Sequence, residues 1–232
     1  MTEIKELFDL EKTVASELFK GKTYPWEVLS DIGVFIKKLG ASLDEKEFDH
    51  PSEGVWIAKD AKVFPTAYIG SPCIIDHGAE IRHCAFIREN AIVGKNAVVG
   101  NSTELKNAVL FDNVQVPHYN YVGDSVLGYK SHMGAGAITS NVKSDQSNVV
   151  IKEPGIYHET GRMKVGAMLG DNVEVGCNSV LNPGTVVGRN SNIYPTSCVR
   201  GVVPPDSIYK DKDNIITKKI TKKRETHFGD SR

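Results

Sequence analysis

The sequence has little of what would mark a secreted, membrane-bound or nucleic-acid-binding protein. Four cysteines occur in 232 residues, Cys73, Cys84, Cys177 and Cys198, and no two form a C-x-x-C pair. That spacing argues against a disulfide framework and for reduced thiols. No apolar run approaches the roughly 18 residues of a membrane span. The start, MTEIKELFDLEK, has no apolar signal core. The expectation is a soluble, cytoplasmic protein with no membrane partner. An excess of one charge is missing too. With 28 basic residues against 29 acidic ones the net charge is −1, and no overall field recruits nucleic acid. The one basic run, TKKITKKRE over residues 217–225, is local; it reads as a solvated tail, with a polyphosphate or anionic-surface contact as the alternative.

What is present changes character along the chain. Thr2 can cap EIKELFDLEKTVASELFKG, where Ile4, Leu7, Phe8, Val14 and Leu18 recur at helical spacing and Gly21 is a stop. In YPWEVLSDIGVFIKKLG, Pro25 takes a first-turn position. Trp26, Leu29, Ile32 and Ile36 share a face, and Gly40 ends the element. These two helices form an expected N-terminal segment, 1–43, whose apolar faces would cover the open first coil of the domain that follows. Residues 44–54 read as a polar linker.

From Val55 the period becomes six. Ile57, Val63, Ile69, Ile75, Ile81, Ile87, Val93, Val99 and Leu105 follow one another at that interval. A small residue usually stands four places later, as at Ala61, Ala67, Cys73, Ala79 and Ala85. A strand alternates every two residues and an amphipathic helix repeats every three or four, so neither explains a sustained six. Short strands joined by tight turns do, three hexapeptides making one triangular coil and the coils stacking into a solenoid. The expected fold is all-β: a left-handed parallel β-helix over 55–203, preceded by the helical segment and followed by a tail, 204–232. Residues 142–164 lose the period and gain Pro154 and Gly155, which predicts a loop thrown out of the prism as a lid, a partner contact or a decoration.

The interior of such a prism is aliphatic, so chemistry sits outside, in a groove between solenoids packed side by side. In VPHYNY, His118 stands where the repeat elsewhere supplies lysine, asparagine or aspartate, and an outward imidazole beside phenols suits a proton acceptor at neutral pH. A surface histidine is the plain alternative. Arg88 and Lys106 follow the inward Ile87 and Leu105 one coil apart, so they should project together as a phosphate clamp, or else as ordinary solvated cations. No histidine spacing matches a three-histidine metal site, so no metal is expected to be required.

The stretch HYNYVGDSVLGYKSHMGAGAITSN resembles the acetyltransferase domain of the bifunctional enzymes that make UDP-N-acetylglucosamine, with their H-x-x-Y-x-G-D segment leading into G-A-G-T-I-T and an asparagine. TGRMKVGAMLGDNVEVG is similar to archaeal-type sugar-1-phosphate nucleotidylyltransferases with an acetyltransferase tail. The resemblance spans roughly residues 57–203. Nothing resembles the nucleotidylyltransferase domain, since no glycine-rich nucleotide loop follows an early strand. The resemblance implies that His118 is general base on a sugar 2-amino group and that Tyr121 contacts the sugar. It implies Arg88 and Lys106 on the phosphate and Asn141 orienting the amine or acetyl donor. It also implies a homotrimer, with acetyl-CoA as co-substrate along the groove near Cys177 and Pro195. His132 stands where the family has a sugar-contacting asparagine, Val142 replaces a tyrosine of the bacterial enzymes, and Pro195 removes a backbone N–H near the acetyl group. The expected activity is acetyl-CoA-dependent N-acetylation of an amino-sugar-1-phosphate such as glucosamine-1-phosphate. The alternatives are a non-catalytic sugar-nucleotide-binding scaffold serving a separate nucleotidylyltransferase, and O-acylation.

Overall fold

A computed structural model describes residues 1–219, so most of the basic run at 217–225 lies outside the described residues. The hexapeptide period is a stack of three-stranded coils. The first face begins with Val55–Ala58, Cys73–Ile75 and Ala91–Val93; the second with Lys62–Val63, Glu80–Ile81 and Val98–Asn101; the third with Tyr68–Ile69 and Phe86–Ile87. Like strands of successive coils pair in parallel, Cys73 against Ala91, Ile81 against Val99 and Ile69 against Ile87. The all-β parallel solenoid expected from the period is the observed architecture. Its turns explain the many asparagines: Asn90, Asn96, Asn113, Asn172, Asn178 and Asn190 all have positive φ, a region that asparagine enters more readily than most side chains.

The three faces differ on their outer side. Strands of the second and third faces alternate, as in Glu80–Ile81 and Phe86–Ile87, where only the isoleucine is buried. The strands Cys73–Ile75, Ala91–Val93 and Ala167–Leu169 of the first face are buried at every residue. Continuous apolar triplets are the signature of a parallel strand covered on both sides. The outward residues Ile74, Ile92, Val109, Val126, Met168 and Val186 have no exposed surface.

Their cover is the N-terminal segment together with the excursion. The segment contains two α-helices, Ile4–Leu7 and Ile32–Gly40, and three 3-10 turns, Leu10–Lys12, Ser16–Phe19 and Pro25–Ser30. The expected long first helix stops at Phe8, whose backbone turns extended (φ −129°, ψ 139°) while its ring packs 5.2 Å from Phe111 of the solenoid. Packing thus overrides helical periodicity. Ile32 and Ile36 are fully buried over the first face. Gly40 lets the helix end press on Trp56, where an added Cβ would lie 2.3 Å from the ring. The segment does not cover the first coil as expected; it runs along the prism wall as far as Asp171, whose backbone N–H donates to the Leu7 carbonyl. The inward Val63 of the first coil is 36% exposed in consequence.

The supposed linker carries the strand Phe48–Ser52, which pairs antiparallel with Val55–Ala58 and closes that sheet edge. Ser207–Asp211 and Asn214–Thr217 form an antiparallel hairpin on the last coil, inside the stretch expected as a tail. The excursion holds a further hairpin, Val150–Glu153 with Ile156–Glu159. Its Val149 and Ile151 are buried beside Gly184 on the first face. The His158 ring packs tilted against Tyr24 and Trp26, with centroids 5.0 and 5.8 Å away, joining the hairpin to the N-terminal segment. Among the described residues no helix is long and apolar enough to cross a membrane.

Candidate functional site

Two coils are one residue short. Seventeen residues separate the paired Ala91 and Ala108, and seventeen again Ala108 and Ser125, against eighteen from Cys73 to Ala91. The missing residue comes from the turn between the third and first faces. Strands Glu104–Leu110 and Tyr121–Leu127 therefore run through the corner without a break. A single left-handed residue makes each bend, Asn107 (φ 51°) and Asp124 (φ 47°). Backbone held in that region commonly marks a place where the surroundings enforce it.

Asp124 is the hub of what gathers there. Its carboxylate accepts from Lys106 Nζ at 3.3 Å to both oxygens, from Asn107 Nδ2 at 2.9 Å and from Asn141 Nδ2 at 2.6 Å. The Asp124 side chain is 3% exposed and that of Lys106 17%. A buried carboxylate is tolerable only when so satisfied. Asn141 Nδ2 also donates to the Tyr121 hydroxyl at 3.2 Å. Burial, and then the Asp124 charge, hold the Tyr121 phenol above its ordinary pKa, so it remains protonated. The Tyr121 ring lies over Gly123, where an added Cβ would sit 2.4 Å from the hydroxyl. Asn107 Nδ2 donates at 3.0 Å to the Leu29 carbonyl and so ties the cluster to the N-terminal segment.

Lys106, Tyr121 and Asn141 are thus brought into one network. Arg88 occupies the equivalent place one coil before Lys106, as the stacking argument requires, but its guanidinium pairs with Glu104 at 3.1 Å and approaches Glu89 at 3.8 Å. The hydrogen bond to Glu104 holds its pKa above the ordinary value. His118 ends the strand Gln115–His118 at the corner between the second and third faces, two residues before Asn120. Its N–H donates to Asn120 Oδ1 at 3.1 Å, and Asn120 is fixed by donating to the carbonyls of Gly134 and Ala137. The imidazole itself is exposed and, among the described residues, makes no side-chain hydrogen bond. Turn-to-turn backbone bonds, Tyr119 N to Asn101 O, Gly136 N to His118 O, Asn178 N to Ala135 O and Thr196 N to Cys177 O, set His118, Ala135, Cys177 and Pro195 in one column along this corner. Pro195 lines a cleft of about 860 Å³ shared with Lys152, Arg200, Tyr209 and Lys210.

His132 does not join the cluster. It lies on the second face, with Nδ1 2.8 Å from Glu174 Oε2. Val142 begins the excursion, in an isolated antiparallel bridge with Lys164. Both ends of the excursion border the cluster: Val165 N–H donates to the Asn141 carbonyl and Gly166 N–H to that of Asp124. Asp124 and Asn107 were not singled out from the sequence, although the shortened turn that places them is visible there as a slip in the six-residue period. Among the described residues no group of three or more histidine, cysteine, aspartate or glutamate side chains is placed to hold a metal ion.

Comparison with known proteins agrees with the resemblance read from the sequence. A family profile described as "GMPPB C-terminal domain" matches residues 69–154. The chain is 34% identical over 199 residues to "Bifunctional protein GlmU" of Methanococcus maripaludis, covering 84% of this chain and 48% of that protein. It is 34% identical over 107 residues to the "Bifunctional sugar-1-phosphate nucleotidylyltransferase/acetyltransferase" of Sulfurisphaera tokodaii, covering 46% and 27%. Among solved structures, the Francisella novicida UDP-N-acetylglucosamine acyltransferase aligns at TM-score 0.46 and 16% identity, covering 70% of this chain and 64% of that one. The chain spans less than half the length of these curated relatives; it resembles the Methanococcus protein through most of its own length, and the relative whose name joins sugar-1-phosphate nucleotidylyl transfer to acetyl transfer through a little under half of it.

Proposed function

We propose that the chain is an acetyl-CoA-dependent N-acetyltransferase whose acceptor is an amino-sugar-1-phosphate such as glucosamine-1-phosphate. The observation that carries this reading is the corner that leaves the His118 imidazole exposed and, among the described residues, without a side-chain hydrogen bond, three residues before a Tyr121 bound to Asn141. A base whose backbone is fixed and whose ring makes no hydrogen bond within the described residues is free to take a proton. The amine attacks the thioester carbonyl, a C–N bond forms, the C–S bond breaks, and His118 relays the amine proton to the departing thiolate. Tyr121 and Asn141 orient the amino sugar. Lys106 and Arg88 face its phosphate, Lys106 through the ammonium hydrogen that its two bonds to Asp124 leave unused.

Acetyl-CoA would run along the corner column. Cys177 lies two coils from His118, on the order of 10 Å, and Pro195 three coils, on the order of 14 Å, at 4.7–4.9 Å per coil. These lengths suit an extended pantetheine arm leading to the cleft at Pro195. Pro195 has no N–H to offer the acetyl group, so an oxyanion donor must come from a neighbouring amide. A homotrimer of prisms side by side is the assembly this reading calls for, with the groove between copies as the site. His132, being on the second face, reaches the substrate only across such a groove.

The test is thiol release from acetyl-CoA with glucosamine-1-phosphate, for the wild type and for His118→Ala. Release by the wild type, reduced by about 10²–10⁴ in the variant, is expected. Equal release by both sinks the assignment of the base, and silence from a folded wild type sinks the transferase. The second reading, a sugar-nucleotide-binding scaffold, is favoured by one observation: both cations are already paired, Lys106 with Asp124 and Arg88 with Glu104. It expects ligand binding without thiol release.

A further inference from the structure

The outer side of the third face continues past the cations in a direction that a sugar monophosphate does not need. Two columns run along it. One is set by pairing of Tyr68 with Phe86, Phe86 with Glu104 and Glu104 with Tyr121. The other, two residues on, contains Gly70, Arg88, Lys106 and Gly123. Tyr68 is 60% exposed and Phe86 42%, large values for aromatic rings, and their centroids lie 5.4 Å apart at 59°. Neither ring contributes to the core, which in these coils is made by Ile69 and Ile87.

We propose that this face takes a nucleoside-diphosphate-linked amino sugar, with the base on Phe86 and Tyr68 and the diphosphate across Lys106 and Arg88. The inference rests on the reading that Tyr121 and Asn141 mark the amine end. In a hexosamine phosphate, four covalent bonds separate the nitrogen from the first phosphorus, about 5 Å at ordinary bond lengths. That is one coil, the step from Tyr121 to Glu104 and Lys106. Arg88 lies one coil further, so a diphosphate gives each cation its own phosphoryl group where a monophosphate must be shared between them. In the neighbouring column Phe86 stands level with Arg88 and Tyr68 one coil beyond, about 10 and 14 Å from Tyr121, so a ribose crossing from the second phosphoryl group to that column brings the base onto the pair.

Charge has to be accounted for on both sides. Arg88 is held by Glu104 and lies near Glu89, so an incoming diphosphate must displace the Glu104 contact. That pair is exposed at Arg88 and half-buried at Glu104, and pairs so open to solvent are weak, so exchanging a carboxylate for a diphosphate costs little. The freed Glu104 carboxylate, level with Lys106 and one coil from Phe86 in the aromatic column, then flanks the diphosphate, where it can accept from a ribose hydroxyl, the interaction acidic side chains make in dinucleotide sites. Stacking on the rings tolerates any base, so the identity of the base is left open.

Calorimetric titration of the full chain with UDP and with GDP, and separately with glucosamine-1-phosphate, tests this without requiring turnover. The wild type should bind at least one diphosphate. In Phe86→Ala the ratio of its affinity to that for glucosamine-1-phosphate should fall by about tenfold, and Tyr68→Ala should fall in the same sense. A wild type that binds neither diphosphate overturns the proposal, as does a ratio unchanged in both variants whose melting curves match the wild type. Absence of thiol release with any acceptor, alongside diphosphate binding lost in the variants, removes the transferase and leaves this ligand class standing.

Discussion

The first and third faces of the prism are built on one repeat and end in opposite roles. Both present an inward aliphatic residue to the same core, Ile75 and Ile87 for example. They part at the outward position beside it. On the first face that position is Ile74, Ile92, Val109 or Val126, each sealed under the N-terminal segment. On the third face it is Phe86, Glu104 or Tyr121, with Arg88 and Lys106 next to them, and solvent reaches them. A repeat fixes backbone and core, so its outward side chains are free to take cover on one wall and to present polar and aromatic groups to solvent on another.

The comparison breaks most completely if the cover is removed. Deleting residues 1–43 should expose the aliphatic row of the first face and give an aggregating chain in light scattering. A monodisperse, fully folded solenoid after that deletion would mean that the row is not what the segment is for. Next in size is Asp124→Ala. Asp124 borders the third face, and its loss leaves Lys106, Asn107 and Asn141 without their shared acceptor. Breaking such a buried pair costs roughly 3–5 kcal/mol. Denaturant unfolding should report that loss, and a change below about 1 kcal/mol would place the hub closer to an ordinary surface pair.

A paired substitution sharpens the contrast further. Ile92→Ala on the first face should lose about 2–5 kcal/mol, whereas Arg88→Ala on the third should stay within roughly 0.5 kcal/mol. Equal losses would erase the distinction between the walls. The smallest effect concerns the junction of hairpin and N-terminal segment. Burial pushes the Glu153 carboxyl up, but hydrogen bonds from His158 and the chain's amino group outweigh it and hold it below its ordinary value. Its contribution is therefore present above the ordinary carboxylate pKa and is lost as pH falls through the lower folded value. Hydrogen exchange of residues 150–159 should quicken in that acid range before the third face changes; equal quickening of both would count against a local effect.

Much of the scaffold was legible because a period of six admits few backbones. The small residue four places after each aliphatic one, as at Ala79 and Ala85, gave the inward register directly. The apolar triplets of the first face, "CII" and "AIV", carried a legible sign of cover as well, though the cover was expected over the first coil instead. The reason is that helical periodicity in the N-terminal segment tells which side of a helix is apolar and nothing of which surface receives it. The same limit explains the early end of the first helix at Phe8, whose ring is claimed by Phe111.

The site divides the same way. Sequence spacing put Arg88 and Lys106 in equivalent places on successive coils, and the fold keeps them there. It did not indicate that each carries an acidic partner, or that Asp124 binds Lys106, Asn107 and Asn141 together. Those contacts depend on a turn shortened by one residue, which sends the Asp124 side chain into the corner rather than toward solvent. His132, expected at the substrate from the resemblance, instead stands beside Gln115 on the second face, where its ring meets Glu174. The sequence by itself determined the repeat, the inward residues and the set of polar side chains the repeat does not require. Only the tertiary structure decided which wall is covered and which polar groups meet, because those depend on where separate segments pack, and a one-dimensional period has no term for that.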